Sequence, residues 1–428
     1  MRYKPIDPQL FVANRKKFIR QLPKGGMALF LSNELMPRSA DSTYPFRQHP
    51  DLFYLTGVDQ EDTALILFPD CPIEKYREVL FVRKTSELIR IWEGDKLTRE
   101  EAQKVSGIKT VLWKDEFEGV LKTVMYLAHT VYLNSNEHDR ASARVPDYDL
   151  LFARQLRERY PLHPFARTAP LMAELRAVKS KEEIRLIKQA IAITEKAFRR
   201  VLGFVKPGVM EYEVEAEITH EFIRNGASGH AYSPIVASGK SATILHYVSN
   251  DKPCREGELL LLDFGAEYAN YAADLTRTIP VSGRFTKRQK EVYNAVLRIQ
   301  REVFKLLKPG KCLDEVNKET GRLVTEELLR LKLLKSDEVK KQDPEQPLWR
   351  KYMPHGVSHF LGLDVHDVGN RYKPIRPGMV FTCEPGIYIR EEGIGVRLEN
   401  DVLVTRNGVV DLMKNIPIEP EEIEELMA

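Results

Sequence analysis

The sequence has 428 residues, of which 65 are basic and 62 are acidic, so its formal net charge is +3. At roughly 150 residues per domain, this length predicts two or three domains, each large enough to bury a core. A composition that is 43% apolar and 30% charged excludes global disorder, and the near balance of charge gives no indication of a nucleic-acid-binding face.

The cysteines and the N-terminal segment indicate the cellular compartment. The four cysteines are scattered without a CxxC pair, which argues against a disulfide framework and against a thiolate zinc site. The N-terminal segment MRYKPIDPQLFVANRKKF lacks the apolar core of a signal peptide, and the longest apolar runs are too short to span a bilayer. We therefore expect a cytoplasmic protein that binds neither membranes nor nucleic acid.

The N-terminal part of the chain alternates between strand and helix patterns. Short apolar runs between turn residues predict strands over residues 27–32, 52–56, 63–68 and 78–82, with later strands near 109–113 and 129–133. Helical patterns cover residues 98–106 and 148–159. This alternation predicts an α/β domain with a mixed sheet, which we place at residues 1–172.

A second domain is predicted over residues 173–428. Ser180 and Glu183 form a capping-box pattern, which begins a helix that runs to Gly203, and a second helix is predicted over 209–225. Strands follow over 233–238, 244–248, 258–268 and 271–280, then helices over 286–307 and 313–333, an exposed loop over 335–350 and a strand-rich segment over 353–410. The repeated order of two helices and several strands indicates an internal two-fold repeat of an α/β unit.

Two aspartates stand out in the segment LLLLDFGAEYANYAADLTRT. Asp263 follows four leucines, and Asp274 lies in the next strand-forming run, so a hairpin would bring the two carboxylates together. A buried carboxylate is costly unless it is paired or binds a metal. The alternative interpretation is structural: Asp263 would cap a turn and Asp274 would pair with Arg277.

Three histidines lie close together in HGVSHFLGLDVHDVG. His355 and His359 are four residues apart, but the zincin pattern HExxH is absent because Gly356 takes the place of its glutamate. His366 follows within the same segment. Each histidine taken singly can be explained as a hydrogen-bonded structural residue, whereas three so close together favour a site.

Two glutamates complete the set of candidate ligands. Glu384, in TCEPG, follows an apolar run at the predicted end of a strand. Glu399, in GVRLEND, alternates with Leu398 and Asn400, a pattern that is also typical of the solvated face of an edge strand.

Together these residues predict a metal centre with four carboxylates and one imidazole, contributed by Asp263, Asp274, His359, Glu384 and Glu399. Such a set suits two neighbouring divalent cations bridged by carboxylates. An oxygen-dominated ligand set favours Mn²⁺, with Co²⁺, Fe²⁺ and Zn²⁺ as alternatives.

In their order and spacing, these motifs resemble those of the pita-bread metallopeptidases of family M24, and within them the aminopeptidase P group. The resemblance extends to the N-terminal domain through RSADSTYPFRQHPDLFYLTG. It implies a pita-bread catalytic domain of α/β (α+β) class with a pseudo-two-fold repeat, preceded by a smaller α/β domain of the creatinase/aminopeptidase P type.

The resemblance also implies a role for each ligand. Asp274 and Glu399 would bridge both metals, Asp263 would chelate one of them, and His359 and Glu384 would complete the other. A metal-bridging hydroxide would be the nucleophile, and Glu384 would shuttle a proton to the leaving proline nitrogen.

Further residues are implied to bind substrate or to support the ligands. His246 and Tyr388 would lie at the substrate site, His366 would steady the scissile carbonyl, and His355 would border the proline pocket. Arg397 would be a supporting group, with Asp41 of the N-terminal domain as its expected partner.

The activity implied is hydrolysis of the bond between a first residue and a following proline, in peptides of the form Xaa-Pro-peptide. Self-association as a dimer or tetramer is expected from the same resemblance. Two alternatives remain: a prolidase that cleaves Xaa-Pro dipeptides, and a non-catalytic pita-bread binding protein. Retention of all five ligands argues against the second alternative and against metal-free, creatinase-like chemistry.

Overall fold

The computed structural model describes residues 3–138, 140 and 145–428, which divide into two compact units. One unit comprises residues 4–176, and the other comprises residues 177–428 together with Tyr3. The division falls within a helix, Ala169–Ala177, which also contains the boundary that the sequence predicts between residues 172 and 173.

The N-terminal unit is built on a mixed six-stranded sheet, whose strands lie side by side in the order Thr110–Trp113, Glu78–Val82, Ala64–Leu67, Gly26–Leu31, Thr130–Leu133 and Phe165–Arg167. Its helices are α1 (Gln9–Ile19), α2 (Pro50–Thr56), α3 (Glu87–Glu93), α4 (Arg99–Ser106), α5 (Phe117–Leu127), α6 (Tyr148–Arg159) and α7 (Ala169–Ala177). Its strands are β1 (Gly26–Leu31), β2 (Pro37–Ser39), β3 (Ser42–Thr43), β4 (Ala64–Leu67), β5 (Glu78–Val82), β6 (Thr110–Trp113), β7 (Thr130–Leu133) and β8 (Phe165–Arg167). The predicted α/β character of this part of the chain is therefore confirmed.

Residues 52–56 were predicted to form a strand, and this prediction is wrong, because they lie in α2. Pro50 occupies the first turn, the His49 side chain accepts a hydrogen bond from the Asp51 N–H, and Gly57 ends the helix with φ 67°. These are the signals that begin and end a helix. Since every residue of α2 from Asp51 to Thr56 is buried, the segment has no amphipathic pattern that could reveal its helical period.

The C-terminal unit repeats the order of two long helices followed by strands. Its helices are α8 (Lys181–Phe204), α9 (Glu211–Arg224), α10 (Lys287–Leu306), α11 (Leu313–Arg330), α12 (Ser336–Lys341) and α13 (Pro420–Leu426). Its strands are β9 (Gly229–His230), β10 (Ile235–Ser238), β11 (Leu259–Phe264), β12 (Ala266–Tyr268), β13 (Tyr271–Ala272), β14 (Leu275–Pro280), β15 (Val380–Cys383), β16 (Gly386–Ile389), β17 (Ile394–Arg397), β18 (Asn400–Thr405) and β19 (Gly408–Asp411).

Two details of the C-terminal unit differ from the sequence prediction. Residues 244–248 form a turn after a short 3₁₀ helix, Gly239–Thr243, and not a strand. The segment 335–350, predicted to be an exposed loop, contains α12 and the start of a second 3₁₀ turn. The predicted capping box is confirmed, because the Ser180 N–H donates to Glu183 and the Glu183 N–H donates to the Ser180 hydroxyl.

Small antiparallel sheets of this unit carry the candidate ligands. One sheet has the order β10-β11-β14, another the order β15-β18-β19, and β16 pairs with β17. A bridge between Thr276 and Glu399 places the start of β14 beside the residue that precedes β18. Segments far apart in sequence therefore meet at one place.

Candidate metal centre

The hairpin predicted for the two aspartates is present. In the antiparallel pairing of β11 with β14, Asp263 lies opposite Thr276, and Asp274 directly precedes β14. The four leucines before Asp263 are buried, so β11 carries the carboxylate from the core to the edge of the site. A side chain at Gly265 would lie only 1.7 Å from the Ala273 carbonyl oxygen, which explains why this close crossing needs glycine.

Three of the predicted ligands converge on one point. Asp274, His359 and Glu399 each offer a ligand atom, and these atoms lie within 4.8 Å of one another. All three residues are buried, with relative exposures of 4%, 8% and 2%. This was the only such group found among the described residues.

The remaining two predicted ligands border this group. Glu384 Oε1 lies 3.4 Å from His359 Nε2, which is itself 3.4 Å from Asp274 Oδ2. Asp263 is joined to Asp274 by a tyrosine hydroxyl, since the Tyr232 oxygen lies 2.7 Å from Asp263 Oδ1 and 2.6 Å from Asp274 Oδ1. The structure therefore brings all five residues together.

The histidine is oriented as a ligand would be. His359 Nδ1 lies 2.9 Å from the carbonyl oxygen of Phe360, so a proton on Nδ1 is donated to the backbone. That arrangement leaves Nε2 as the ring nitrogen that faces Asp274 and Glu384, where it would bind a metal ion. Holding the second ring nitrogen in this way is the usual means of fixing the tautomer of a metal-binding histidine.

The electrostatics show a surplus of negative charge. Burial raises the pKa of Glu384 to about 7, and it raises the pKa of Glu399 well above its ordinary value, with the neighbouring carboxylates adding to both effects. Burial also raises the pKa of Asp263, against the lowering influence of Arg397. Burial by itself would lower the pKa of His359, but its hydrogen bond to Asp274 and the charge of Glu384 outweigh burial and raise it. Divalent cations fit this set, because they would neutralise carboxylates that the protein leaves crowded and uncompensated.

A line of hydrogen bonds links the ligands to the predicted substrate residues. His355 Nε2 lies 2.9 Å from the Tyr388 hydroxyl, to which Arg397 Nη1 donates across 2.8 Å. Arg397 Nη2 then donates to Asp263 Oδ2 across 2.5 Å. Within its own unit, Arg397 therefore pairs with a predicted metal ligand. Asp41 belongs to the other unit, in the exposed turn between β2 and β3, and its pairing with Arg397 stays a prediction.

The other predicted substrate residues occupy different positions around the centre. The His366 ring stands edge-on to the His359 ring with centroids 4.4 Å apart. His246 lies in the turn after the Gly239–Thr243 helix, where its side chain is exposed. Its charge contributes to the lowering of the pKa of His355 to about 4, which is caused first by burial and then by Arg397.

Two residues that contact the ligands were not predicted from the sequence. Tyr232 connects Asp263 with Asp274, and Thr276 donates to Glu399 Oε2 across 2.6 Å. Tyr232 lies in a Gly-, Ser- and Pro-containing segment that offers no periodic signal. Thr276, in contrast, has a signal: it is the second residue after Asp274, so on an extended strand its side chain lies on the same face.

With the geometry established, comparison with known proteins identifies the family. Residues 185–406 match metallopeptidase family M24, and residues 11–132 match the N-terminal domain of aminopeptidase P. The Xaa-Pro aminopeptidase of Escherichia coli K12 is 36% identical over 99% of this chain and 98% of its own.

Solved structures agree with the sequence relatives. Aminopeptidase P from E. coli with the inhibitor Pro-Leu superposes with a TM-score of 0.87 at 35% identity, covering 99% of both chains. A zinc-substituted E. coli aminopeptidase P in complex with product gives a TM-score of 0.86 at 36% identity, again covering 99% of both chains. The predicted fold, a catalytic domain of this family behind an aminopeptidase P N-terminal domain, is thereby confirmed.

Proposed function

The chain belongs to metallopeptidase family M24, and from that premise we propose that it is an Xaa-Pro aminopeptidase, which removes the first residue from peptides whose second residue is proline. The observation that supports this most is the convergence of Asp274, His359 and Glu399 in a chain that is similar to aminopeptidase P over nearly its whole length. The same relatives do not favour a prolidase activity.

We propose that the centre holds two divalent ions. Asp274 and Glu399 would bridge both, Asp263 would bind one, and His359 and Glu384 would bind the other. The ligands are four carboxylates and one imidazole, a set that favours Mn²⁺ among the candidate metals. When bound, such ions supply Lewis-acid polarisation of the peptide carbonyl and lower the pKa of a coordinated water.

Glu384 is assigned the proton transfer. Its side chain is 18% exposed, compared with 13% for Asp263 and 6% for Asp274, and Glu399 is buried, so Glu384 is the most accessible of the four carboxylates. A carboxylate that is open to substrate can accept a proton from the attacking water at a carboxylate oxygen and deliver it to the proline nitrogen as the bond breaks. The Glu384 N–H donates to the Val357 carbonyl, which fixes the backbone from which the carboxylate extends.

The neighbouring side chains would bind and orient the substrate. His366, beside His359, would donate to the scissile carbonyl oxygen, and His246 would contact the substrate from its exposed turn. His355, hydrogen-bonded to Tyr388, would border the proline ring. A lowered pKa keeps the His355 ring neutral at physiological pH, which suits contact with an apolar ring.

A dedicated site is needed because an Xaa-Pro bond is unusual. The proline nitrogen carries no hydrogen, and its ring fixes φ, so an enzyme that grips an extended backbone through N–H groups binds it poorly. A pocket shaped for the ring, beside a centre that polarises the carbonyl, overcomes both difficulties.

The distinguishing experiment compares peptide lengths. The purified protein is treated with chelator, reconstituted with Mn²⁺, Co²⁺, Fe²⁺ or Zn²⁺ in turn, and assayed with an Xaa-Pro dipeptide and an Xaa-Pro-Xaa tripeptide. We expect release of the first residue from the tripeptide in the presence of metal. Turnover confined to the dipeptide would assign a prolidase instead, and absence of bindable metal would favour a non-catalytic protein.

We also propose self-association and a cytoplasmic location. Leu88, Ile91 and Trp92 of α3 are 67%, 75% and 79% exposed, and a cluster of large apolar side chains on one short helix is typical of an interaction surface.

All four cysteines are unpaired and three of them are buried, which suits a reducing compartment. No helix among the described residues is both long and apolar enough to cross a membrane.

A further inference from the structure

The segment that carries His246 is held by one buried carboxylate that plays no part in the centre. This segment, residues 239–253, is the first part of the connection from β10 to β11 and is called the His246 loop. Its outer side is open, since Ile244 and Val248 are 50% and 54% exposed and His246 is exposed as well. Its inner side is fastened to helix α9, chiefly through Glu211.

Glu211 has no exposed surface, yet its carboxylate has four hydrogen-bond donors. One oxygen accepts from the Ser238 N–H and hydroxyl at 2.7 and 2.6 Å. The other accepts from the Tyr247 hydroxyl at 2.8 Å and from the Lys252 N–H at 3.0 Å. A buried carboxylate is stable in its charged form only when hydrogen-bond donors satisfy its lone pairs. The four donors to Glu211 therefore stabilise its negative charge.

These donors come from both ends of the loop and from its middle. Ser238 precedes the loop, Tyr247 directly follows His246, and Lys252 lies at the return. The Glu211 N–H also donates to the Lys252 carbonyl, so Glu211 binds the backbone of Lys252 through both its side chain and its own backbone. Without the Glu211 carboxylate, Ser238, Tyr247 and Lys252 would each lose a hydrogen-bond partner on α9.

A second carboxylate on the same face of α9 supports the return of the loop. Glu215, one helical turn after Glu211, accepts from Asn250 Nδ2 at 2.8 Å. Asn250 has φ 46°, a left-handed conformation that asparagine tolerates better than most residues, and its Oδ1 accepts from the Val236 N–H. Glu211 and Glu215 thus hold the segment after His246 at two points.

The helix is a rigid base for these contacts. Val214, Ile218 and Phe222 of α9 are fully buried, so the helix cannot shift without disturbing the core. Glu211 lies in its first turn, where the helix dipole favours a negative charge. Because Tyr247 is the next residue after His246, a fixed Tyr247 limits where the His246 ring can lie.

We propose that Glu211 is a positioning residue for the reaction, acting through Tyr247 to hold the exposed His246 ring against the substrate. This inference rests on the substrate role that the proposed function gives to His246. It concerns a residue outside the metal centre and needs no change in the ligands.

The test is a double-mutant cycle with a structural readout. Glu211→Gln keeps the shape of the side chain but removes the charge that the four donors share. The matched control is Glu213→Gln, an exposed position of the same helix at which glutamine can still accept the hydrogen bond from the Met210 N–H. With an Xaa-Pro-Xaa tripeptide, we expect E211Q to lower kcat/KM by about 10-fold or more in the metal-loaded enzyme. In an H246A background, E211Q should change kcat/KM by less than about twofold.

Amide hydrogen exchange supplies a measurement that does not depend on turnover. We expect residues 241–252 to exchange faster in E211Q than in the wild type, while E213Q exchanges like the wild type. The proposal is wrong if E211Q lowers kcat/KM equally in the wild-type and H246A backgrounds, or if E211Q leaves the exchange rate of residues 241–252 unchanged. If E211Q does not fold, Tyr247→Phe, which removes one hydroxyl only, is tested by the same two measurements and the same criteria.

The two hypotheses fail in different ways. If the wild-type enzyme releases no residue from the tripeptide, the proposed function is wrong, and hydrogen exchange still decides whether Glu211 holds the loop. If the wild type is active and E211Q retains full kcat/KM, only the positioning role is wrong.

Discussion

Buried acids are treated in opposite ways in the N-terminal unit and in the metal centre. In the N-terminal unit, buried acids have cationic or polar partners: Arg176 donates to Asp51 across 2.8 Å, and His49 Nε2 lies 3.3 Å from Asp149. In the metal centre, four carboxylates share one arginine and one histidine. A buried acid beside a basic side chain has a charge partner within the chain, whereas a centre with surplus carboxylates indicates a cation from outside the chain.

Removal of Glu384 gives the largest expected effect on activity. We expect Glu384→Ala to lower kcat by about 10³-fold or more, because it removes a ligand and the proton-transfer group together. The variant should remain folded, since losing one of several crowded acids relieves repulsion in the metal-free protein. Activity and thermal unfolding are measured together.

The control for this variant is Glu391→Ala, an exposed residue paired with Lys351 in the β16–β17 hairpin turn. It should retain wild-type activity. Near-normal turnover in E384A would contradict the assignment of Glu384, and a clear loss of stability in metal-free E384A would contradict the view that the centre is overcharged.

Removal of a positively charged side chain from the N-terminal unit should, in contrast, lower the stability of that unit. Arg176→Met leaves Asp51 buried without its ion-pair partner, and breaking such a pair costs about 3–5 kcal/mol. We expect a lower urea midpoint for unfolding of this unit. Arg159→Met, which breaks an exposed pair with Glu118, should cost less than about 1 kcal/mol.

A double variant sharpens this test. If the loss in R176M arises from the unpaired Asp51 carboxylate, then adding Asp51→Leu should recover part of the stability. Equal instability in the single and double variants would show that the loss comes from packing and not from charge.

Loss of the Tyr232 hydroxyl should weaken metal binding while leaving the fold intact. This hydroxyl lies between Asp263 and Asp274, and groups that orient metal ligands typically contribute 10- to 100-fold in affinity. We expect Tyr232→Phe to raise the metal dissociation constant by about 10-fold, measured by competition with a chelator. Tyr212→Phe, on the exposed side of α9, should bind metal like the wild type.

The smallest expected effect is a pH dependence in the N-terminal unit. Burial raises the pKa of Asp149 to about 6, above its value in an unfolded chain, so the folded state binds more protons between pH 5 and pH 7. Wild-type stability should therefore fall as the pH rises through this window, by about 1 kcal/mol from this group.

Asp149→Asn removes that contribution, because asparagine does not titrate. The free energy of unfolding of D149N relative to wild type should therefore increase from pH 5 to pH 7. A difference that stays constant across these pH values would show that Asp149 does not change its protonation there.

Sequence patterns predicted the fold well wherever periodicity was strong. The amphipathic helices α8, α10 and α11 were predicted to within a few residues, because one face of each is buried. Helix α2 was missed because burial on all sides removes the pattern on which such predictions depend.

The site shows the same division between what sequence can and cannot reveal. The hairpin of Asp263 and Asp274 was predicted from two neighbouring strand-forming runs, and the structure confirms that the two residues converge. The contact of Arg397 with Asp263 joins residues that are 134 positions apart, and no local pattern specifies it. The four donors to Glu211 could not be predicted either, because they come from a strand end and a loop that only the folded chain brings to helix α9.

The most direct test of the account is a metal titration of the chelator-treated protein. Mn²⁺ is added while heat, released protons and thermal stability are recorded, and the titration is repeated with E384A. We expect about two ions per chain, release of protons as the raised carboxyl pKa values fall, and a higher unfolding temperature, with weaker binding in E384A. If the protein binds no divalent ion, or if E384A binds it with the same affinity as the wild type, the proposed metal centre is wrong.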